Sequence, residues 1–289
     1  MEHQFAAGLA LIAALLFGAG MQFTQIGLRT VDSQRGTLLT IASSAVIYWA
    51  LAPWHLQAWF FESNVVWLFL VVGIFRPFLS SNLSIAGTQI LGPTISSTLS
   101  ATAPFFALFF GVLVLDETLS LRTLAGTGAI VLGVVLLARQ RRDGNAQRWP
   151  WWALALPIGA AVIRVLAHMT AKIGMETVPS AYFVGLVSYS ASLVVAVANN
   201  VRRGTPLRGL ASRVGSAWFV LTGVVYGAAV FVLNVALQVG DLSVVGPIVS
   251  CEPIFVMLLG AMFFRQRNLP LRVIACVLTV VAGVVLISL

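Results

Sequence analysis

The chain has 289 residues, 59% apolar and only 9% charged, with 17 Lys and Arg against 9 Asp and Glu for a formal net charge of +8. A water-soluble domain carries about 25% charged and about 45–50% apolar residues, so this chain lacks the polar surface to coat a globule in water. It is expected to be an all-α integral membrane protein. Ten helices of about 20 residues use roughly 200 positions, which leaves short loops and excludes an inserted soluble catalytic or nucleotide-binding domain.

Ten apolar segments follow in chain order, over 5–28, 37–54, 65–87, 93–114, 121–138, 151–172, 180–199, 216–239, 244–264 and 271–289. The first begins behind Glu2 without a Lys or Arg, lacks the basic start of a secretory signal, and reads as a permanent span. Ser120 before span five, Pro150 and Pro179 before spans six and seven, and Asn268 with Pro270 before span ten are helix-start residues. Gly, Ala, Ser and Thr are abundant inside the spans, as close helix packing in lipid requires. The two cysteines, Cys251 and Cys276, lie inside spans and are too few for a metal cluster or a disulfide framework. No cofactor or metal is expected.

The positive charge explains itself by position rather than by nucleic acid. Loops after spans one, five, seven and nine hold thirteen of the basic residues, among them Arg139, Arg141, Arg142, Arg202, Arg203 and Arg265. The opposite loops hold only Arg122 and Lys172. Because Lys and Arg are retained in the cytoplasm, the odd loops are expected inside a bacterial inner membrane and both termini on the non-cytoplasmic side. Trp149, Trp151 and Trp152 read as an interfacial belt.

The second half repeats the first. "LSLRTLAGTGAIVLGVVLL" at 119–137 aligns with "LPLRVIACVLTVVAGVVLI" at 269–287 at an offset of 150, and Pro104 in "APFFALFFG" aligns with Pro253 in "EPIFVMLLG" at 149. Repeats are expected over 1–140 and 149–289. With five spans each, the second enters the membrane inverted, about a pseudo-two-fold axis in the membrane plane, which is the usual construction of alternating-access carriers.

These features, together with "LDETLS" at 115–120 and the glycine-GVVL endings, resemble the drug/metabolite transporter superfamily and its ten-helix EamA-type carriers, over essentially the whole chain. Among these the build is most similar to the YddG-type exporters of aromatic and other amino acids. Gln266 and Arg267 stand where the second repeat would carry the acidic turn. The resemblance implies a basket of ten helices around a central cavity lined mainly by spans one, three, four, six, eight and nine, with Pro104 and Pro253 as hinges.

Ionisable groups inside a bilayer cost several kcal/mol unless paired or wetted, so Arg76, Arg164, His168 and Glu252 mark an interior face. Arg76, Ser80 and Ser84 recur at four-residue steps on span three, as do Tyr226, Val230 and Asn234 on span eight and Arg164, His168 and Lys172 on span six. Gln22, Gln25 and Arg29 form a similar stripe on span one. Together these stripes point to a shared water-accessible cavity, although for each of Gln22, Gln25, Ser80, Ser84 and Asn234 an interhelical hydrogen bond is the competing role. Three roles are open to Glu252: anchor for a substrate ammonium, proton acceptor, or permanent partner of Arg76 or Arg164. The guanidiniums suit a carboxylate because they stay charged and bind two oxygens at once. Tyr48, Trp49, Phe78, Tyr182, Tyr189, Trp218 and Tyr226 could line an apolar pocket, and of these Tyr226 and Phe78 are assigned to the site.

The expected function is export of small organic metabolites, aromatic or hydrophobic amino acids foremost, by a monomer in the bilayer working through alternating access. A carrier of anionic or phosphorylated metabolites is the alternative. A membrane enzyme or a channel is a more distant one, since no phosphate-cradling loop, metal spacing or nucleophile-base pair is present.

Overall fold

The computed structural model describes residues 2–91, 96, 99–139, 150–202, 213–263 and 271–288. Helices account for nearly all of them. The first repeat contributes α1 (Glu2–Gly27), α2 (Ser33–His55), α3 (Val65–Gly73), a π-turn over Ile74–Leu79, α4 (Ser80–Leu91), α5 (Ala103–Leu115) and α6 (Leu121–Arg139). The second contributes α7 (Ala155–Thr177), α8 (Ala181–Arg202), α9 (Arg213–Val239), α10 (Leu242–Val249), α11 (Glu252–Phe263) and α12 (Leu271–Ser288). Six described helices are long and apolar enough to cross a membrane, and four shorter apolar ones accompany them. Ser120 and Ser180 start α6 and α8 as N-caps, their hydroxyls accepting from the amides of Thr123 at 3.0 Å and Phe183 at 3.2 Å.

The helices cannot be paired by a hydrophobic drive in lipid, so close backbone approach and interhelical hydrogen bonds hold them. Thr40 and Ser44 of α2 donate to the carbonyls of Phe219 (3.3 Å) and Gly223 (2.7 Å) on the parallel α9. Ser188 and Ser192 of α8 donate to the carbonyls of Phe69 (3.2 Å) and Gly73 (2.6 Å) on the parallel α3. The two sets are one motif written twice: Thr40 and Ser44 map to Ser188 and Ser192 at an offset of 148, and Phe69 and Gly73 to Phe219 and Gly223 at 150.

A second contact lies on the symmetry axis itself. A Cβ at Gly126 of α6 would come within 2.5 Å of the Gly283 carbonyl on α12, and one at Gly133 within 3.0 Å of the Cys276 carbonyl. The register runs antiparallel, and exchanging the halves at the offset of 150 carries one pair onto the other. Such a contact requires a two-fold perpendicular to the helices, which is the inverted repeat. The main pairings between the repeats obey it: α1 packs on α9 as α7 packs on α3 and α4, and α1 meets α10 and α11 as α7 meets α5. Each repeat therefore embraces the other.

Spans three, four and nine are not the continuous helices that the apolar runs suggest. Span three breaks at the π-turn, and span nine breaks into turns at Ser250 and Cys251. Pro104 and Pro253 do not sit inside helices either. Each occupies the first turn of the helix that follows a break, α5 and α11 respectively, where its missing N–H costs nothing. Outside the bundle, Val46, Leu113, Val194 and Met262 are exposed apolar side chains, and Trp54, Trp67 and Trp151 are exposed near helix ends, as lipid and its interfaces require. Trp149 of the same belt, like Asn268 and Pro270, lies outside the described residues.

Candidate functional site

Arg76 lies between α3 and α4 with φ −131° and ψ 127°, an extended residue inside an otherwise helical span. Pro77 follows it, and the residue before a proline is driven out of the α region into this conformation. The break strips carbonyls of their helical donors, which in lipid must be supplied from elsewhere. Ser192 of α8 supplies one, donating to Gly73 at 2.6 Å and reaching the Arg76 carbonyl at 3.4 Å. The four-residue ladder expected from Arg76 to Ser80 is thereby cut. The Arg76 guanidinium stands 5.5 Å from the centroid of the Phe17 ring on α1, within cation–π range.

Arg76, Arg164 of α7 and Glu252 at the start of α11 lie near one another, each within electrostatic reach of the other two. Arg76 and Glu252 lie deep among the helices, and all three side chains keep some accessible surface. Among the described residues no hydrogen bond or ion pair joins Glu252 to Arg76 or Arg164. The permanent ion pair, one of the three roles open to Glu252, is therefore absent from this conformation. Two guanidiniums and a carboxylate are held near one another and left open.

Aromatic rings complete the wall. Tyr226 of α9 packs on Phe17 at 5.8 Å between centroids and feels the Glu252 carboxylate. Tyr189 of α8 stacks on Tyr48 at 5.5 Å and lies within reach of Arg76. His168, one turn beyond Arg164 on α7, is buried near both guanidiniums, and its Nε2 has no hydrogen-bond partner among the described residues.

Other expected residues are engaged elsewhere. Ser80 donates to the Ala160 carbonyl at 3.1 Å, Asn234 to the Ala181 carbonyl at 3.2 Å, and Gln22 Nε2 to the Val256 carbonyl at 2.5 Å. Each ties two helices together, the competing role for such residues. Gln25 is exposed while Gln22 is buried, so the polar stripe on α1 does not face one space. Lys172 leaves the α7 ladder to pair with Glu117 at 2.9 Å. The Phe78 side chain lies outside the described part. Phe17 carried no polar signal in the sequence, whereas Tyr189 is one of the aromatic candidates named from it.

The EamA-like transporter family profile matches the chain twice, over residues 4–139 and 150–289. A crystal structure described only as that of a protein superposes with a TM-score of 0.82 over 97% of this chain and 95% of that one, at 15% identity, a likeness of fold. No curated protein matches the sequence.

Proposed function

The chain belongs to the EamA-like transporter family, multi-pass membrane transporters of small molecules, and we propose that it exports amino acids, aromatic and other apolar ones foremost, by alternating access. The observation that carries this reading is the unclosed set of Arg76, Arg164 and Glu252. A carboxylate placed between the guanidiniums gains charge-assisted hydrogen bonds, an ammonium at Glu252 balances the acid, and Phe17, Tyr189 and Tyr226 offer an apolar wall. His168 adds a buried nitrogen free to bond. In this reading the breaks before Pro104 and Pro253 are the flexing points of spans four and nine, and the chain works as a YddG-type exporter in a bacterial inner membrane with both termini outside.

The test is uptake and counterflow in proteoliposomes with a panel of amino acids, for the parent and for Arg76→Ala, Arg164→Ala and Glu252→Gln. Loss of exchange by at least tenfold in the variants supports the site, and parental exchange in all three removes it. A carrier of anionic metabolites is the second reading, favoured by two guanidiniums facing one carboxylate. Competition by phosphate esters and not by amino acids identifies it.

A further inference from the structure

At the end of the bundle formed by the even-numbered loops, one carboxylate ties the repeats together. Glu117, in the turn between α5 and α6 of the first repeat, accepts from the amides of Leu242 (2.6 Å) and Ser243 (2.8 Å) at the start of α10 in the second. It also accepts from Lys172 Nζ of α7 at 2.9 Å. Lys172 donates in turn to the Gly240 carbonyl at 2.8 Å and lies 3.5 Å from Asp241. Asp241, which precedes α10, makes no side-chain cap bond of its own, so the cap of this helix comes from the opposite repeat.

The first repeat is shaped to deliver that carboxylate. Asp116 has φ 51°, a left-handed conformation that only it adopts among described non-glycine residues, and that is costly for a side chain. Gly111 leaves room for it, since a Cβ there would lie 2.5 Å from Glu117 Oε2. The second repeat carries Gln266 and Arg267 at the aligned positions, a pair without a carboxylate, so the chemistry of the latch is encoded at one end only.

We propose that Glu117 and Lys172 form a gate that closes the even-loop end of the transporter and must release α10 each time the central pocket opens there. The inference rests on the reading that the repeats rock about that pocket. Alternating access requires the halves to separate at one end while they stay joined at the other. The three contacts that the Glu117 carboxylate makes across the repeats, to the amides of Leu242 and Ser243 and to the Lys172 ammonium, are what that separation would break.

The test uses the full chain with Cys251→Ser and Cys276→Ala, in sealed vesicles whose even loops face the reagent, a control Glu62→Cys in the second loop fixing sidedness. Ser243→Cys reports the gate, because Ser243 is buried beside Glu117. Its modification by an impermeant maleimide is expected to quicken about tenfold with Lys172→Gln or Glu117→Gln, the equivalent of about 1.4 kcal/mol. Lys172→Gln leaves both amide caps in place and carries the test if Glu117→Gln does not reach the membrane. A rate equal to the parent's in Lys172→Gln overturns the gate.

Covalent closure is the second measurement. An ideal Cβ at Gly111 lies 3.4 Å from Ser243 Cβ and 2.5 Å from Glu117 Oε2, close to disulfide spacing for the first, so Gly111→Cys with Ser243→Cys pushes the carboxylate aside and places a removable bond across the same contact. Oxidation is expected to stop solute exchange and a reductant to restore it, and unimpaired exchange by the oxidised form overturns the proposal. Thiol modification needs no substrate. Gated modification without amino-acid exchange would sink the substrate reading and leave the gate standing.

Discussion

Ser192 donates a 2.6 Å hydrogen bond to the Gly73 carbonyl, three residues ahead of the extended Arg76. The helix break that presents the guanidinium is therefore stabilised by the other repeat. Its symmetry mate, Ser44 to Gly223 at 2.7 Å, serves an α9 that runs unbroken past Tyr226, the aligned counterpart of Arg76.

That asymmetry predicts unequal mutants. Ser44→Ala removes interhelical bonds to the Gly223 carbonyl and to Tyr189, each worth about 0.6 kcal/mol in membranes. Ser192→Ala in addition leaves carbonyls freed by the break without their donor, and should cost about 1–3 kcal/mol. Thermal unfolding of the two variants in detergent measures the difference, and equal melting temperatures would refute it.

Replacing Pro77 by alanine removes the restriction on Arg76 and permits an unbroken helix through span three. The expected outcome is a protein as stable as the parent or more so, with solute exchange reduced at least tenfold because the guanidinium is turned away from Arg164 and Glu252. Melting temperature and counterflow, read side by side, decide it. A fall in stability with exchange intact contradicts the assignment.

Gly126 and Gly283 set the spacing of α6 and α12. Gly126→Val places a branched side chain against the Gly283 carbonyl, and overpacking of this kind costs about 1–3 kcal/mol. Gly128 is the control, since a Cβ there meets nothing within 4 Å. Gly128→Ala should melt with the parent and Gly126→Val several degrees below it.

Glu117 predicts a pH dependence. Burial alone would raise its pKa, but the Lys172 ammonium and the amides of Ser243 and Leu242 overcome that and hold it below the ordinary 4.5. A carboxyl whose folded pKa is depressed contributes stability in full above its unfolded pKa and loses it as pH falls through the folded one. Melting temperature should thus be flat from neutral pH down to the ordinary carboxylate range and decline below it. Glu117→Gln should lower the plateau and lessen the acid decline, and an unchanged profile in that variant would show the carboxylate to be unimportant.

The sequence by itself determined the membrane class, the ten apolar segments and the twofold repetition. Those properties live in composition and in offsets along one chain, and Gly126, Gly133 and Gly283 already stood in the aligned "GVVL" stretches. It also marked Arg76, Arg164 and Glu252, because a charge in an apolar run is costly wherever the run folds. Tertiary structure alone decided which polar residues meet. Ser80 and Asn234 look like pocket residues by period, yet they bond to neighbouring helices, since period fixes a face and not the partner it turns toward. Arg76 is displaced from its ladder by Pro77, and Glu117 lies 125 positions from the amide it caps. Contacts between inverted halves join residues far apart in the chain, and no local pattern encodes them.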